Sequence, residues 1–189
     1  MTSFYSKDEL KEIGFRYIGE NVLLSRKTSI YGAENISIGS NTRIDDFCII
    51  SGNIILGEHV HIAAYCALFA GKTGIEMKDF SAISSRGIIY AESDDYSGRV
   101  LTNPTVPNEY KHIICGKVVL HKHVLIGAGC IVLPGVTLNE GSAFGSMSLI
   151  NTDADEWTIN VGTPCKIIKR RERDLLDFER QLIISEKLS

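Results

Sequence analysis

The sequence of 189 residues lacks the features that mark secreted, membrane-spanning and nucleic-acid-binding proteins. No apolar run approaches the roughly 18 residues that cross a bilayer, and the first residues show no basic segment followed by an apolar one. Basic residues do not predominate, because 20 Lys and Arg stand against 23 Asp and Glu. These absences predict a cytoplasmic protein that inserts into no membrane and binds no nucleic acid.

Cysteine is scarce and irregularly placed. The cysteines form an odd number without CxxC spacing: Cys48, Cys66, Cys115, Cys130 and Cys165. Such a set favours neither a disulfide framework nor a zinc knuckle, and it fits a reducing compartment. Three of them fall on the inward phase of a repeat, where we predict that they fill the core and do not act as nucleophiles.

A repeat of six residues dominates the chain. Large apolar residues recur at this spacing in two runs: Ile38, Ile44, Ile50, Leu56, Ile62 and Leu68, then Leu120, Ile126, Val132, Leu138, Phe144 and Ile150. Small or β-branched residues mostly stand two positions earlier, as Cys48, Cys66 and Cys130 do. Inward residues at i and i+2 indicate a short strand, and a turn must follow each strand before the next one begins.

Strands this short cannot bury their apolar faces alone, so we expect them to stack as a solenoid. Three repeats make one triangular coil, and Cys48 and Cys66, which are 18 positions apart, should stack on one wall. The step from Leu68 to Met77 is nine residues, which predicts three inserted residues near 71–74. A helix is excluded because the spacing does not follow a 3.6-residue period.

Both ends of the chain carry helical signals. Ser6 and Glu9 have the spacing of a capping box, so a short helix should run to about Ile13 and stop at Gly14. Apolar and charged residues mix from 170 to 187 in the pattern of an amphipathic helix. The prediction is a single domain with an N-terminal cap over 1–20, a β-helix over 21–169 and a C-terminal helix over 170–189.

The repeat is interrupted between residues 90 and 117. A structureless loop of this length inside a compact domain is uncommon and usually has a function. It contains side chains that suit a polar substrate: Tyr90, Asp94, Asp95, Tyr96, Asn103 and His112. The interruption predicts an acceptor-binding loop, a contact between subunits, or both.

Three segments carry a resemblance to a known family: Val124–Gly129, Leu133–Leu138 and Val161–Arg170. Together with the repeat and the long loop, they make residues 20 to 171 resemble the hexapeptide-repeat acetyltransferases. The most similar groups are the galactoside, maltose and xenobiotic acetyltransferases and the enzymes that acetylate sugars of bacterial surface polysaccharides. The resemblance implies an all-β solenoid wound as a left-handed parallel β-helix, with a short N-terminal helix, a long protruding loop and a C-terminal α-helix.

The resemblance also implies a homotrimer with active sites between subunits and acetyl-CoA as co-substrate, without a metal. Carried over by position, the pantetheine arm should contact the backbone near Ala128 and Ser146, with Gly127 and Gly145 allowing close approach. The expected phosphate contacts of the coenzyme are Lys166, Arg170 and Arg171, whose charges suit phosphate.

The family's catalytic histidine has no counterpart at the position that the resemblance indicates. In the galactoside and maltose enzymes it follows a segment like Ile88–Ser93, but here Asp94 and Asp95 follow. We therefore expect His61, which the repeat places on an outward wall, to act as the base beside Asp94 and Asp95 of a neighbouring subunit. The expected acceptor contacts are Ser85, Tyr90, Tyr96 and Asn103.

Two functions that use acetyl-CoA fit this pattern. We expect acetyl transfer to a sugar hydroxyl in the biosynthesis of a bacterial O-antigen or capsule. The alternative is an N-acetyltransferase acting on a nucleotide-linked amino sugar, because an amine can enter neutral and Asp94 or Asp95 need only position it. A non-catalytic β-helix binding module fits the basic cluster less well, and a hexapeptide-repeat carbonic anhydrase lacks a third histidine near His59 and His61.

Overall fold

A computed structural model describes residues 3–188 and shows a parallel β solenoid with three walls. Helix α1 spans Lys7–Glu12 near the N-terminus, and helix α2 spans Leu175–Leu188 at the other end. Single turns of 3-10 helix occupy Ala33–Asn35 and Asn108–Tyr110. No helix within 3–188 is both long and apolar enough to cross a membrane.

The strands follow one another around the three walls, and each pairs in parallel with a strand of the next coil. Wall 1 contains β2 (Leu23–Leu24), β5 (Arg43–Ile44), β7 (His61–Ile62), β9 (Ala82–Ile83), β14 (Leu125–Ile126), β17 (Ala143–Phe144), β19 (Thr158–Gly162) and the antiparallel β20 (Cys165–Arg170). Wall 2 contains β3 (Ser29–Tyr31), the first parts of β6 (Ile49–Leu56) and β8 (Ala67–Met77), β10 (Ile88–Tyr90), β15 (Ile131–Val132) and β18 (Leu149–Ile150). Wall 3 contains β1 (Tyr17–Ile18), β4 (Ile36–Ile38), the last parts of β6 and β8, β13 (Val118–Leu120) and β16 (Thr137–Leu138).

The register between coils confirms the predicted repeat and its insertion. Ile50 pairs with Leu68, one regular coil of 18 residues later. Ile54 pairs with Ile75, which is 21 residues later, and the register shifts between these two pairs at Gly52 and Gly71. The three extra residues therefore enter the chain at the predicted place.

The interior of the solenoid confirms the predicted core. Large aliphatic residues line it, and Cys48, Cys66 and Cys130 are 1%, 1% and 0% exposed. Burial raises the pKa of the Cys130 thiol, so this side chain is held as a neutral apolar filler. The inward cysteines thus have the packing role that their phase in the repeat predicts.

Helix α1 begins as predicted. The hydroxyl of Ser6 accepts a hydrogen bond from the Glu9 backbone N–H, and the Glu9 carboxylate accepts one from the Ser6 N–H at 2.7 Å. Gly14 follows the helix with a φ of 82°, a conformation that glycine adopts without strain. The capping box and the stop signal are both confirmed.

Two sequence predictions placed boundaries wrongly. The C-terminal helix begins at Leu175 and not at residue 170, because β20 continues to Arg170, which pairs with Thr158. The interruption from 90 to 117 is not structureless, because β11 (Glu92–Asp94) and β12 (Ile113–Cys115) form an antiparallel hairpin. In both places the backbone hydrogen bonds of a strand pair outweigh the local sequence pattern.

Helix α2 packs along the corner between walls 3 and 1. A stack of rings follows this corner, here called the covered ladder: His59, Phe80, His123 and Trp157. Glu179 of α2 lies 2.8 Å from His123 Nε2 and also accepts a hydrogen bond from Lys122. Nearer the end of the helix, Glu186 lies 3.3 Å from His59 Nε2. These contacts hold α2 over the rings.

Replacing Glu179 with glutamine should lower the melting temperature by about 3–6 °C at pH 7, because a charged and largely buried hydrogen-bond pair is lost. Burial by itself raises the pKa of this carboxyl, but the hydrogen bonds from Lys122 and His123 outweigh burial and leave the pKa below its ordinary value. A lowered pKa means that the stabilisation is complete above the ordinary carboxyl pKa and is lost as the pH falls through the lowered value. Thermal melts from pH 7 to pH 3 should therefore show the difference between wild type and variant vanish.

The control is Asp177→Asn on the exposed side of the same helix, whose ion pair with Arg180 is about 70% exposed on both sides. It should shift the melting temperature by less than about 1 °C. Equal shifts for the two variants would mean that Glu179 does not fasten the helix.

Candidate active site

The corner between walls 1 and 2 brings three of the expected ligand contacts into line. The Gly129 N–H donates to the Ser85 carbonyl at 3.0 Å, and the Met147 N–H donates to the Ala128 carbonyl at 2.8 Å. Ser85, Ala128 and Ser146 therefore stand at the same position of three successive coils, and all three are exposed. The N–H groups of Ala128 and Ser146 have no acceptor within residues 3–188. The acceptor contact and the coenzyme contacts thus form one continuous line along the solenoid.

A second line of outward positions runs beside the first, through Ser84, Gly127 and Gly145. Ser84 is half-buried and directly follows the inward Ile83. A Cβ on Gly127 would lie 2.6 Å from the Phe144 carbonyl oxygen, so the glycine is needed for the approach of the next coil. The next coil therefore occupies the space at Gly127 that the sequence assigns to the coenzyme. Ser84 is not among the acceptor contacts expected from the sequence, although the phase of the repeat places this serine outward.

His61 lies on the outer face of wall 1, as predicted, with its side chain 46% exposed. Its Nε2 lies 2.9 Å from Asp45 Oδ2, and Arg43 Nε donates to the other oxygen at 2.7 Å. Burial raises the pKa of the Asp45 carboxyl, but the hydrogen bonds from His61 and Arg43 outweigh it and lower the pKa. A carboxylate that accepts the Nε2 proton leaves the Nδ1 lone pair available as a base. Asp45 carries no signal in the sequence that links it to His61.

His61 and Ser84 share one outer face. His61 pairs with Ala82 of the next coil, and Ser84 lies two residues further along that coil. With about 4.8 Å between coils and about 6.6 Å along two strand residues, the two Cα atoms lie roughly 8 Å apart. This face contains an open groove of about 290 Å³ that includes Asn41, Arg43 and His61 among its lining residues.

The hairpin brings Asp94, Asp95 and Asn103 together. Both carboxylate oxygens of Asp94 lie 3.3 Å from the Asn103 N–H. Asp95 accepts the Ser97 N–H at 2.7 Å and lies 3.4 Å from His112 Nδ1. The hydrogen bonds of Ser97, and then those of His112, lower the pKa of the Asp95 carboxyl. Asp95 is thus tied to its own loop, whereas within residues 3–188 the Asp94 carboxylate has only the long contact with Asn103 and can accept further hydrogen bonds.

The two tyrosines of the interruption differ in their surroundings. Tyr90 stacks on Phe69 at the base of the hairpin, with 5.3 Å between ring centroids. Tyr96 lies in the loop beyond β11 and is 90% exposed. The Glu92 carboxylate accepts the Lys72 N–H at 2.8 Å and occupies the space in which a Cβ of Gly71 would stand. The three-residue insertion therefore supports the base of the hairpin.

The three cations expected at the coenzyme phosphates do not lie together. Lys166 is near the turn between β19 and β20, beside a cavity of about 320 Å³. Arg170 is at the other end of β20, about 13 Å away at 3.3 Å per residue, and donates to the Glu156 carbonyl. Arg171 donates to the His123 and Gly141 carbonyls, and burial lowers the pKa of its guanidinium. Lys166 is therefore the nearest of the three to the line of Ala128 and Ser146.

The hairpin and the serines lie at opposite edges of wall 2. Ser84 and Ser85 precede β10, and the hairpin with Asp94 follows it. Six residue steps along corner and strand separate Ser85 from Ala91, up to roughly 20 Å at 3.3 Å per residue. No hydrogen bond, ion pair or ring contact of the described residues joins the hairpin to Ser84 or Ser85. One subunit therefore does not bring both groups to the same atom.

No metal centre is formed within the described part of the chain, where no three His, Cys, Asp or Glu side chains come together suitably. The model of the bacterial transferase hexapeptide family matches residues 35–70. A dTDP-4-amino-4,6-dideoxy-D-glucose acyltransferase of Escherichia coli is 46% identical over 94% of this chain and 93% of its own. A putative lipopolysaccharide biosynthesis O-acetyl transferase of E. coli K12 is 29% identical over 80% of this chain and 77% of its own.

Solved structures agree with the sequence comparison. AntD, an N-acyltransferase from Bacillus cereus, was solved with dTDP and 3-hydroxybutyryl-CoA; it is 52% identical, with a TM-score of 0.97, over 99% of this chain and 100% of its own. Variants of AntD at a serine and at an aspartate were solved as well. A maltose O-acetyltransferase from Clostridium difficile shares the fold at 22% identity and a TM-score of 0.60, over 88% of this chain and 75% of its own. These matches confirm the left-handed parallel β-helix.

Proposed function

The chain belongs to the hexapeptide-repeat transferase family and is an acyl-CoA-dependent acyltransferase, and from this premise we propose that it acylates the amino group of a dTDP-linked amino sugar. The observation that carries the proposal is the hairpin carboxylate of Asp94, which stands where the family resemblance leads us to expect a histidine and accepts one long hydrogen bond from Asn103. The relatives that match nearly the whole chain act on a dTDP-4-amino sugar or bind dTDP, which supports the same acceptor.

An amine acceptor is therefore preferred to the sugar hydroxyl that the sequence predicts. A sugar hydroxyl must lose its proton as it attacks, and an ionised carboxylate is a weak base for that task. A neutral amine has a free lone pair and needs only to be oriented. Asp94 can accept hydrogen bonds from the amine hydrogens, so a carboxylate is sufficient to hold the nitrogen for attack. The product would be a nucleotide-linked N-acylated sugar for a bacterial surface polysaccharide.

The proposed reaction uses the line of coil corners. The amine nitrogen, held by Asp94, attacks the thioester carbonyl. The oxyanion that forms accepts a hydrogen bond from the backbone N–H of Ala128 or Ser146. The C–S bond then breaks and the coenzyme thiolate leaves. The proton lost by nitrogen passes to Nδ1 of His61 and from there to the thiolate. Lys166 would hold a phosphate of the coenzyme at the far end of the line.

The proposed active unit is a homotrimer. Asp94 and the serines Ser84 and Ser85 lie at opposite edges of one wall, so a neighbouring subunit has to supply one of the two groups. The variants of AntD at a serine and an aspartate support an acceptor site that contains both residue types. Ser84 is half-buried and Ser85 exposed on the same corner, so either hydroxyl can reach an acceptor there.

A transfer assay tests the proposed function directly. Release of the coenzyme thiol is followed with acetyl-CoA or 3-hydroxybutyryl-CoA as donor and with dTDP-4-amino-4,6-dideoxyglucose, the free amino sugar or maltose as acceptor. We expect turnover with the nucleotide-linked amino sugar and amide formation in the product by mass spectrometry. Turnover with maltose and none with the dTDP-linked amine would overturn the proposal in favour of hydroxyl acylation.

His61→Ala should lower kcat by about 100-fold, the lower end of general-base effects, with KM for both substrates nearly unchanged. Asp45→Asn should lower kcat less, because the imidazole stays in place without its orienting carboxylate. The control is His112→Ala, which removes a histidine beside Asp95 in the hairpin. Wild-type kcat in His61→Ala would exclude His61 as the base and leave the departing thiolate to take the proton.

A further inference from the structure

A second stack of rings, the open ladder, follows the corner between walls 1 and 2. It consists of Phe47 and Tyr65, which occupy the same position in successive coils. Their ring centroids lie 5.0 Å apart with 22° between the planes. Phe47 is 48% exposed and Tyr65 56%. Lys27 Nζ lies 5.1 Å from the Phe47 centroid, whereas no other ring or cation within residues 3–188 covers Tyr65.

Neither backbone geometry nor packing explains these aromatic residues. Phe47 and Tyr65 have φ values of 62° and 65°, a left-handed conformation that bulky side chains adopt at a cost. The rings of the covered ladder adopt it too, but there α2 packs on His123, which is 6% exposed, and Arg173 covers Trp157, which is 3% exposed. Burial offsets the cost at that corner. The open ladder has the same unfavourable backbone conformation, but no element of its own chain covers its rings within residues 3–188.

An unpaired cation continues the open ladder. Arg86 occupies the next position, with a φ of 63°, and its N–H donates to the Ala64 carbonyl at 3.2 Å. No carboxylate of the described residues pairs with its exposed guanidinium. Arg86 directly follows Ser85. The position after Arg86 is Gly129, beside Ala128. Two rings, a free arginine and the line of the proposed acyl transfer therefore follow one another along this corner.

We infer that the open ladder binds the nucleoside diphosphate part of the acceptor, with the base against Tyr65 and the diphosphate at Arg86. The inference rests on the proposed function. Aromatic faces stack nucleobases, and the fork of an arginine suits phosphate oxygens. Phe47 and Arg86 are two coil spacings apart, about 10 Å at 4.8 Å per coil. A base over the rings and a diphosphate at Arg86 leave the sugar beside Ser84 and Ser85, which directly precede Arg86.

The competing occupant of the same rings is a neighbouring copy of the chain. Exposed aromatic pairs are frequent in subunit contacts, and a contact would also offset the backbone cost. The two occupants differ in the expected effect of an Arg86 substitution on dTDP binding, because a subunit contact gives this arginine no diphosphate to bind. They also differ in the effect of Tyr65 substitutions on assembly.

Calorimetry with dTDP as the probe tests the inference on the full chain. We expect Tyr65→Asn and Arg86→Asn each to weaken dTDP binding roughly tenfold or more, as loss of a base stack or a bidentate phosphate contact does. Asparagine is chosen because it tolerates the left-handed conformation. Tyr65→Phe, which keeps the ring, should bind dTDP like the wild type. The control is Tyr17→Asn, since Tyr17 is also 56% exposed but lies on wall 3.

Kinetics separate this inference from the proposed function. The asparagine variants should raise KM for the dTDP-linked amino sugar, with kcat and coenzyme affinity near wild type. Wild-type dTDP affinity in both variants would overturn the inference, and so would loss of the trimer together with coenzyme binding in Tyr65→Asn. The proposed function itself fails only if the wild-type enzyme does not acylate the dTDP-linked amine.

Discussion

Asp94→Asn should lower kcat by about 1,000-fold, the upper end of the effect of removing one group that stabilises the charge developing in the transition state. Asparagine has the same size and still accepts the Asn103 N–H, which now lies 3.3 Å from both oxygens. It loses the negative charge, so it no longer stabilises the cationic nitrogen that forms when the neutral amine attacks. Affinity for dTDP and for the coenzyme should stay close to wild type, because neither contacts this side chain in the proposed site.

Stopped assays at saturating acyl-CoA and dTDP-4-amino-4,6-dideoxyglucose measure this effect, and calorimetry measures the two affinities. The matched control is Asp95→Asn, one residue away. Its carboxylate is held by Ser97 and His112, so its loss should lower kcat by less than about tenfold. A larger loss in Asp95→Asn than in Asp94→Asn would exchange the roles of the two carboxylates.

The fold could be predicted from the sequence because the six-residue period determines which side chains point inward. Ile50, Cys48 and Cys66 all lie where that phase places them, and the insertion enters at Gly71. The same phase correctly turned His61 outward. Such a pattern repeats over many coils, so an error at one position is corrected by its neighbours.

The site could be predicted only in part, because its partners come from different coils and corners. Asp45 contacts His61 of the next coil, and Glu92 contacts Lys72 of the preceding coil. Neither distance along the sequence is a multiple of the repeat. Arg171 looked like a phosphate ligand among other basic residues, yet it donates to the backbone carbonyls beneath α2. Charge identifies a possible ligand, whereas only packing shows whether its donors are free.

Mixed trimers should recover activity from two inactive parents, which is the sharpest consequence of the opposite positions of Asp94 and the serines. One parent carries Asp94→Asn, and the other carries both Ser84→Ala and Ser85→Ala. If each site takes its serines from one subunit and its aspartate from the next, a closed trimer that contains both parents has one intact site of its three, so about one third of wild-type activity. Two different affinity tags isolate these trimers after co-expression.

The required control replaces the serine parent with a subunit that carries all three substitutions, since no arrangement of that subunit with Asp94→Asn restores a complete site. Its mixed trimers should be as inactive as the Asp94→Asn homotrimer. Activity in the first mixture and none in the second can arise only from complementation across the subunit boundary. If both mixtures stay inactive while the wild-type enzyme is active, the serines and Asp94 must act from the same subunit. The hairpin would then have to fold back over wall 2 when the acceptor binds, a movement of up to roughly 20 Å from one edge to the other.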